Sequence, residues 1–297
     1  MENLNYAKVY SDSLAQAFPY ALNFGALYAA KNNGRYRFKG GKTIEIPVIK
    51  TTGRTDADRD GIGTFARNYE NTWEEKELTN QRKWSTLVHP QDVDQTNYAA
   101  TISNITSVFN TEHKFPEMDA YTISKLINDW ASLSGMAPDI ETVSASNVLS
   151  IFDSLMARMS EKRVPVNGRI LYVTPEVMKC LKNSGAITRS FDVQNGGSVD
   201  RTVTSLDGVQ IVEVPSELMK SEYDFTNGVT PASGANQIQM FLVHPDAVIT
   251  PVSYEFSCLD EPSASTAGKY VYYEESFEDV FILNNRVDAL AFVVKAN

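Results

Sequence analysis

Residues 35–50 alternate between polar and apolar side chains, and this period of two predicts extended strands. The apolar positions lie on both sides of a Gly40-Gly41 turn: Tyr36, Phe38, Ile44, Ile46 and Val48. A polar tip rich in glycine and aspartate follows at 51–64. The chain then returns through 71–90, where a few apolar residues lie among many charges: Trp73, Leu78, Trp84 and Leu87.

This outward and returning pattern predicts a projecting two-stranded arm over residues 34–87. A two-stranded ribbon has too little apolar face to be stable by itself in water, so the arm needs a neighbouring surface. The first 32 residues carry a weak amphipathic stripe: Leu4, Ala7, Leu14, Phe18 and Ala21. No folded element precedes this stripe, and the segment is therefore predicted to be an N-terminal arm.

Helical periodicity begins in the middle of the chain. Apolar residues recur at three- and four-residue steps over 116–133 and 146–162, which predicts two helices, and Pro116 and Glu117 suit the first turn of the first one. After Gly168, the run RILYV predicts a strand covered on both faces. Thr174-Pro175-Glu176 then supplies an N-cap, a first-turn proline and a first-turn acid for a short helix through Leu181.

Further strands are predicted at 209–214, 238–243, 270–273, 280–283 and 287–294, separated by loops rich in glycine, serine and asparagine. The sequence contains no internal repeat. These elements predict an α+β protein with a helix-and-sheet body from about residue 88 onward. Two segments that do not look self-sufficient, the N-terminal arm and the two-stranded arm, precede this body.

Composition narrows the class of protein. The 297 residues are 42% hydrophobic and 22% charged, with 27 basic and 37 acidic side chains and a net charge of -10, which argues against a dedicated nucleic-acid binder. Cys180 and Cys258 are the only cysteines and have no metal or redox spacing, so no disulfide is expected. The apolar stretch at 17–30 is interrupted by Pro19 and Asn23 and is too short to span a bilayer, so we expect neither a membrane anchor nor a secretion signal.

The segment from Asp56 to Asp60 resembles the opening of a calcium loop. Asp56, Asp58 and Asp60 occupy positions 1, 3 and 5 of an EF-hand loop, with Gly61 at position 6. Position 12, which should be a bidentate carboxylate, is Arg67, and no flanking helix pair is evident. A solvated acidic turn at the tip of the arm explains the same residues, and we favour that interpretation over calcium binding.

The three histidines do not form a catalytic or metal-binding pattern. His89, His113 and His244 lack the HExxH spacing, and proline follows two of them, which favours histidines hydrogen-bonded at turns. The sequence has no GxSxG nucleophile motif, no GxxxxGK[ST] phosphate loop and no complete dinucleotide-binding motif. We therefore expect neither a cofactor site nor an enzyme.

Basic residues follow one another near the start of the arm without an intervening acid: Lys31, Arg35, Arg37, Lys39 and Lys42. Basic residues among aromatic ones can bind nucleic acid, but strand alternation divides these side chains between two faces. Acidic clusters at 70–77 and 274–279 offer another partner, a neighbouring copy of the same chain. Complementary patches commonly set the register between subunits, so self-association is favoured over nucleic-acid binding.

Six segments, taken in their order along the chain, carry a resemblance to a known family: ADRDGIGTF at 57–65, WEEKELTNQRKWSTLVHPQDVDQT at 73–96, FPEMDAYTISKL at 115–126, GRILYVTPEVMKCLKNS at 168–184, LDGVQIVEVPSE at 206–217 and QMFLVHPDAVITP at 239–251. In these segments and in its order of elements, the chain resembles the major capsid proteins of tailed bacteriophages with the HK97-type fold. The first two segments look like the extended loop and its return, and the third looks like the spine helix. The last three look like successive pieces of the axial domain.

The resemblance implies an N-terminal arm at 1–33, an extended loop at 34–87, a peripheral domain formed by 88–134 and 251–297, and an axial domain at 135–250. It implies a structural protein that self-assembles into pentamers and hexamers of an icosahedral head. This head would enclose double-stranded DNA without sequence specificity. A separate scaffolding protein and a portal are the further partners, with assembly in the host bacterial cytoplasm and a final place in the virion capsid.

The arm and the loop are expected to lie over adjacent subunits. The residues expected in these contacts are charged or aromatic: Arg35, Arg37, Lys39, Lys42, Asp58, Arg59, Trp73, Glu74, Glu75 and Trp84. One alternative on the same fold is an encapsulin-like compartment that encloses a cargo protein. An alternative from a different class is a metal-dependent or hydrolytic enzyme, which needs a cluster drawn from His89, Asp92, Asp94 and His244.

Overall fold

The computed structural model of the chain describes residues 22–40, 42–54, 56, 67–96, 101–184 and 204–296. Its helices are α1 (Gly25–Tyr28), α2 (Pro90–Gln95), α3 (Ile102–Phe109), α4 (Phe115–Ser134), α5 (Val148–Glu161) and α6 (Pro175–Asn183). Its strands are β1 (Arg37–Phe38), β2 (Thr43–Thr51), β3 (Tyr69–Glu77), β4 (Gln81–Val88), β5 (Asp139–Ile140), β6 (Ile170–Val173), β7 (Ser205–Leu206), β8 (Val209–Glu213), β9 (Tyr223–Asp224), β10 (Thr230–Pro231), β11 (Ile238–Val243), β12 (Val248–Ile249), β13 (Val252–Asp260), β14 (Tyr270–Glu278), β15 (Phe281–Ile282) and β16 (Leu290–Val294). The predicted α+β class is confirmed.

A six-stranded sheet with the order β5-β16-β11-β6-β8-β7 forms the centre of the body. All residues of β6, β11 and β16 are buried, as the continuous apolar runs predict for strands covered on both faces. Successive side chains point to opposite faces. Ile170 and Tyr172 of β6 therefore pack beneath α4, whereas Leu171 and Val173 pack beneath α5 and α6.

A row of aromatic rings crosses the α4 side of this sheet. Phe292, Phe241 and Tyr172 lie directly opposite one another on β16, β11 and β6. The rings of Phe241 and Phe292 stack with centroids 4.5 Å apart, and Trp130 of α4 covers Phe292 at 5.3 Å. Rings at these distances contribute more than their buried area alone. The row fixes the spine helix over the middle of the sheet.

The end of the predicted N-terminal arm is part of this core. Phe24 and Leu27 are fully buried, and the Phe24 ring lies 4.7 Å from Tyr172. A detached arm was expected for residues 1–33, and this expectation is wrong for 22–33, because α1 and the 3₁₀ turn Lys31–Gly34 pack on the body. Residues 1–21 lie outside the described part of the chain.

The two-stranded arm is shorter than predicted. β2 and β3 pair antiparallel from Thr43↔Glu77 to Thr51↔Tyr69, and β1 adds a short third strand. The predicted return strand divides at Leu78, which is 2% exposed and packs with Ile44 and Phe277. β4, which includes Trp84, leaves the ribbon for another sheet because Leu78 is held in this core.

That other sheet has the order β13-β14-β4 and joins distant parts of the chain. β14 extends to Glu278 instead of ending at the predicted residue 273. β13 was not predicted, although Val252, Tyr254, Phe256 and Cys258 alternate with polar or acidic residues. The last strand, β16, was assigned with residues 251–297, but it pairs with β11 in the six-stranded sheet.

The spine helix is longer than its predicted span of 116–133. α3 continues through a π-helical turn at Asn110–Lys114 into α4, which ends at Ser134 and is followed by Gly135 in the left-handed conformation. α5 and α6 match their predicted spans within two residues, whereas α2 and α3 were not predicted. Within the described ranges, no helix is both long enough and apolar enough to cross a membrane.

Candidate functional site

One face of the ribbon presents apolar side chains to solvent. Residues directly opposite each other share a face, and Trp73 and Tyr69 lie opposite Pro47 and Thr51. The exposed fractions are 42% for Trp73, 56% for Tyr69 and 67% for Ile49. We call Pro47, Ile49, Tyr69 and Trp73 the ribbon face. The opposite face is different, because its Ile44 and Ile46 are buried against the body.

Charged residues predicted to contact a neighbouring subunit meet at the base of the ribbon face. The Arg37 guanidinium lies 3.8 Å above the Trp73 ring and 2.7 Å from Glu45. Lys39 contacts Glu45 at 3.1 Å and also pairs with Glu75. Hydrogen bonds from Arg37 and then Lys39 lower the pKa of Glu45 below its ordinary value. The structure therefore brings together Arg37, Lys39, Trp73 and Glu75 and gives each one a partner in its own chain.

Arg35 directly follows the 3₁₀ turn Lys31–Gly34, and Glu74 lies on β3 of the ribbon. Together with Arg286 they line a cleft of about 250 Å³ between the ribbon and the body. Lys42 is exposed in the turn between β1 and β2. Asp56 is exposed, whereas Asp58, Arg59 and Asp60 lie outside the described residues, so the structure does not test the calcium loop.

Trp84 does not belong to the ribbon. Its ring stacks on Phe109 of α3 with centroids 3.9 Å apart and lies 5.8 Å from Tyr272. This contact packs α3 against the inner face of the β13-β14-β4 sheet. The sequence could not separate Trp84 from Trp73, because both tryptophans lie among charges in what reads as one strand.

The outer face of the same sheet forms a second exposed apolar surface, which the sequence analysis missed. The exposed fractions are 60% for Leu87, 47% for Tyr254 and 44% for Phe256. Tyr273 of β14 lies beside Phe256, with ring centroids 6.3 Å apart. We call Leu87, Tyr254, Phe256 and Tyr273 the sheet face. The alternation within β13 was the signal that could have found this surface.

Two buried aspartates attach the N-terminal segment and the ribbon to the body. Asp119 of α4 accepts hydrogen bonds from the backbone N–H of Asn23 at 2.9 Å and of Phe24 at 3.1 Å. Asp279 accepts from the backbone N–H of Thr79 at 2.7 Å, just where the ribbon ends, and from the Tyr121 hydroxyl at 2.8 Å. Asp119 therefore holds the N-terminal segment on α4, and Asp279 holds the end of the ribbon on the body.

A cleft of about 510 Å³ separates α3 and the start of α4 from the inner face of the sheet. Two ion pairs cross it, Arg82–Glu117 at 2.5 Å and Lys114–Glu274 at 3.2 Å. Burial raises the pKa of Glu278, which also lines the cleft, and the nearby carboxylates reinforce the shift despite Lys114.

The histidines do not converge on a site. His89 Nδ1 accepts from the backbone N–H of Gln91 at 3.1 Å, and His244 Nδ1 accepts from that of Asp246 at 3.3 Å. Both therefore cap helical turns, which confirms the prediction of histidines hydrogen-bonded at turns. His113 lies in the π-helical turn beside Phe109. Across the described residues, no group of three His, Cys, Asp or Glu side chains is arranged to hold a metal ion.

Comparisons with known proteins identify the fold. No protein-family model and no curated protein matches the sequence. A structure from Mycobacterium phage Che8 has 16% identity and a TM-score of 0.63, and the match covers 94% of this chain and 93% of that one. The capsid structure of cyanophage P-SCSP1u has 13% identity and a TM-score of 0.63, with 95% and 90% covered. The head structure of Helicobacter pylori bacteriophage KHP40 has 12% identity and a TM-score of 0.57, with 87% and 85% covered. The chain therefore has the HK97-type fold that its sequence suggested.

Proposed function

We propose that this chain, which has the HK97-type fold, is the major capsid protein of a tailed bacteriophage. Its copies form pentamers and hexamers of an icosahedral head around double-stranded DNA. The observation that carries the proposal is the similarity over nearly the whole chain to phage capsid and head structures. The role is structural and not enzymatic. A projecting ribbon with an uncovered apolar face supports it, because such a surface is costly for a monomer and useful between subunits.

The proposed domains follow the sheets. Residues 1–33 form the N-terminal arm, of which 22–33 is docked on the body, 34–87 the extended loop, 88–134 with 251–297 the peripheral domain, and 135–250 the axial domain. The pairing of strands modifies this division at two places. β4 pairs with β14 and therefore moves with the peripheral domain, and β16 pairs with β11 and therefore moves with the axial domain.

The ribbon face is proposed to lie on an adjacent subunit. Burying a large apolar side chain is worth about 1.5 to 3 kcal/mol, and symmetry repeats each contact around the shell. Two of the proposed contact residues, Asp58 and Arg59, lie outside the described part of the chain. The other proposed contact residues lie within it: Arg35, Arg37, Lys39, Lys42, Trp73, Glu74, Glu75 and Trp84. Because the Trp84 ring is stacked on Phe109, a neighbouring subunit would contact only the edge of the Trp84 ring.

The remaining partners follow from a head that packages a genome. A net charge of -10 suits a shell that encloses DNA without holding it tightly or recognising its sequence. A separate scaffolding protein directs assembly in the host bacterial cytoplasm, and a portal occupies one vertex. The mature protein resides in the virion capsid.

Sedimentation velocity of the purified chain, with negative-stain microscopy of the fast fraction, tests self-assembly. We expect pentamers, hexamers, tubes or closed shells. Trp73→Ala should reduce this fraction without unfolding the chain, because Trp73 is 42% exposed. Val166→Ala is the control, since Val166 is similarly exposed at 44% but lies just before β6 on the body. A monomer at every concentration, with and without co-expressed scaffold, would contradict the proposal.

The contents of native particles distinguish the two shells that this fold can form. A phage head holds double-stranded DNA that resists nuclease until the shell is opened. Nuclease-resistant DNA in particles from the source organism therefore supports the capsid proposal. Particles filled with one cargo protein and no DNA would replace it with the encapsulin-like compartment.

A further inference from the structure

β13 is an edge strand that lacks the usual protection against pairing with another chain. It is 9 residues long, and none of its residues is buried. In the sheet order β13-β14-β4, no strand of the described residues covers its outer edge. Natural edge strands are commonly protected by lysine, proline, a bulge or short length. β13 contains neither lysine nor proline, and its irregularity is confined to its start, between Val252 and Tyr254.

Two candidate partners for the edge of β13 are β13 of a second chain and the open edge of the ribbon of a second chain. The charges favour β13. That open edge is β3, which contains Glu70, Glu74, Glu75 and Glu77 against one lysine. β13 itself contains Glu255 and Asp260 and no base. Pairing β3 with β13 would therefore place several carboxylates side by side, which destabilises a strand pair.

Two copies of β13 fit each other when a two-fold axis passes through Phe256. Antiparallel pairing in this register places Phe256 opposite Phe256 and Tyr254 opposite Cys258. It places Glu255 opposite Ser257 and Asp260 opposite Val252, so no acid faces another acid directly. A register centred one residue earlier would place the two Glu255 carboxylates face to face.

The sheet face also continues across this axis. Tyr254, Phe256 and Tyr273 already form a row, with neighbouring ring centroids 6.3 Å apart. Because directly opposed residues share a face, the Phe256 rings of two copies meet at the axis and join the two rows. An interface of this kind is closed by its own symmetry and does not lead to fibres.

We propose that β13 of one chain pairs antiparallel with β13 of a second chain about a two-fold axis at Phe256, which joins the two three-stranded sheets. As a contact within a shell this inference rests on the proposed function, but the pairing itself is a property of any two copies. It specifies which atoms approach each other and can be tested by disulfide formation.

The test uses cysteines placed along β13 in a Cys180→Ser, Cys258→Ser background. In the proposed register, Phe256→Cys places two Cα atoms about 5 Å apart, within disulfide range. Leu259→Cys is the control, because its two copies are separated by six residues along the strand, about 20 Å. Mild oxidation followed by non-reducing electrophoresis should give a dimer with Phe256→Cys and little or none with Leu259→Cys.

A second pair of variants uses the native thiol. Tyr254→Cys in a Cys180→Ser background should cross-link to Cys258 of the other copy, and adding Cys258→Ser should abolish the product. Partial desolvation and the nearby Asp260 carboxylate raise the pKa of Cys258, so the oxidation is carried out at alkaline pH. The native chain should not cross-link, because two copies of Cys258 are about 14 Å apart in this register.

Sedimentation of the same samples separates failure of the pairing from failure of the proposed function. Cross-links at 256 and at the 254–258 pair support the pairing whether they occur in shells or in free dimers. Shells that form without these cross-links overturn the pairing alone, as does equal cross-linking of Leu259→Cys. Absence of both shells and cross-links overturns both proposals.

Discussion

Asp279 is expected to be the most important single polar residue at the base of the ribbon. It is 1% exposed and accepts hydrogen bonds from the backbone N–H of Thr79 at 2.7 Å, from the Tyr121 hydroxyl at 2.8 Å and from the Val280 N–H at 2.8 Å. Burial and this carboxylate raise the pKa of Tyr121, which therefore remains a donor. Asp279→Ala leaves these donors without an acceptor.

The expected loss of stability follows from the number of hydrogen-bond donors that Asp279→Ala leaves unpaired. Each buried polar group without a partner costs about 1 to 3 kcal/mol. Partial relaxation lowers the sum, and we expect Asp279→Ala to reduce the free energy of unfolding by about 3 to 5 kcal/mol. At about 2 to 4 °C per kcal/mol, the melting temperature of the unassembled chain should fall by about 6 to 20 °C. The stability of Asp279→Asn should lie between that of the native chain and that of Asp279→Ala, because the amide group keeps one acceptor oxygen and replaces the other with a donor.

Urea unfolding monitored by circular dichroism measures this loss, and hydrogen exchange at the Thr79 amide reports whether the ribbon base has loosened. Asp288→Ala is the matched control. Asp288 is a half-exposed aspartate 3.6 Å from Lys162, and an ion pair of this kind is worth less than about 1 kcal/mol. A loss below about 1 kcal/mol for Asp279→Ala, or equal losses for both variants, would refute the assignment of Asp279 as the ribbon anchor.

Three further substitutions test the packing and the electrostatics. Phe24→Ala removes a fully buried ring from the core and should cost about 3 to 5 kcal/mol in urea unfolding; a loss near zero would show that the N-terminal segment is not docked. Gly168→Ala should cost about 1 to 2 kcal/mol, because Gly168 has φ +91° and a Cβ there would lie 3.4 Å from His244 Nε2; unchanged stability would contradict this. Burial, reinforced by Glu255, raises the pKa of Glu278 in the folded chain, so its charged form opposes folding above that pKa. Glu278→Gln should therefore be more stable than the native chain at neutral pH, and this difference in the free energy of unfolding should shrink as the pH falls through the raised pKa. A variant less stable than the native chain at neutral pH would contradict the prediction.

Local patterns were sufficient to predict the elements whose period is set by contiguous residues. β6 and β11 are continuous apolar runs, and α4 repeats its apolar residues at helical spacing, so each could be located from its own sequence. The His-Pro turns were also predicted, because the histidine ring caps a backbone N–H only two residues away. Arg37 and Trp73 were both predicted as contact residues from the sequence, and the structure places the Arg37 guanidinium 3.8 Å above the Trp73 ring.

What depended on distant residues could not be predicted. The ribbon ends at Leu78 and Thr79 because Phe277 and Asp279, about 200 residues later, bury one and bind the other. The alternation of β13 indicates a strand, but only its pairing with β14 determines that it lies at an edge with Phe256 exposed. The sequence alone determined the elements with a strong local period, such as β6, β11 and α4, and the residue types available for assembly. The tertiary structure decided which strands became edges and which apolar faces remained uncovered, because both depend on pairings whose partners are far apart in the chain.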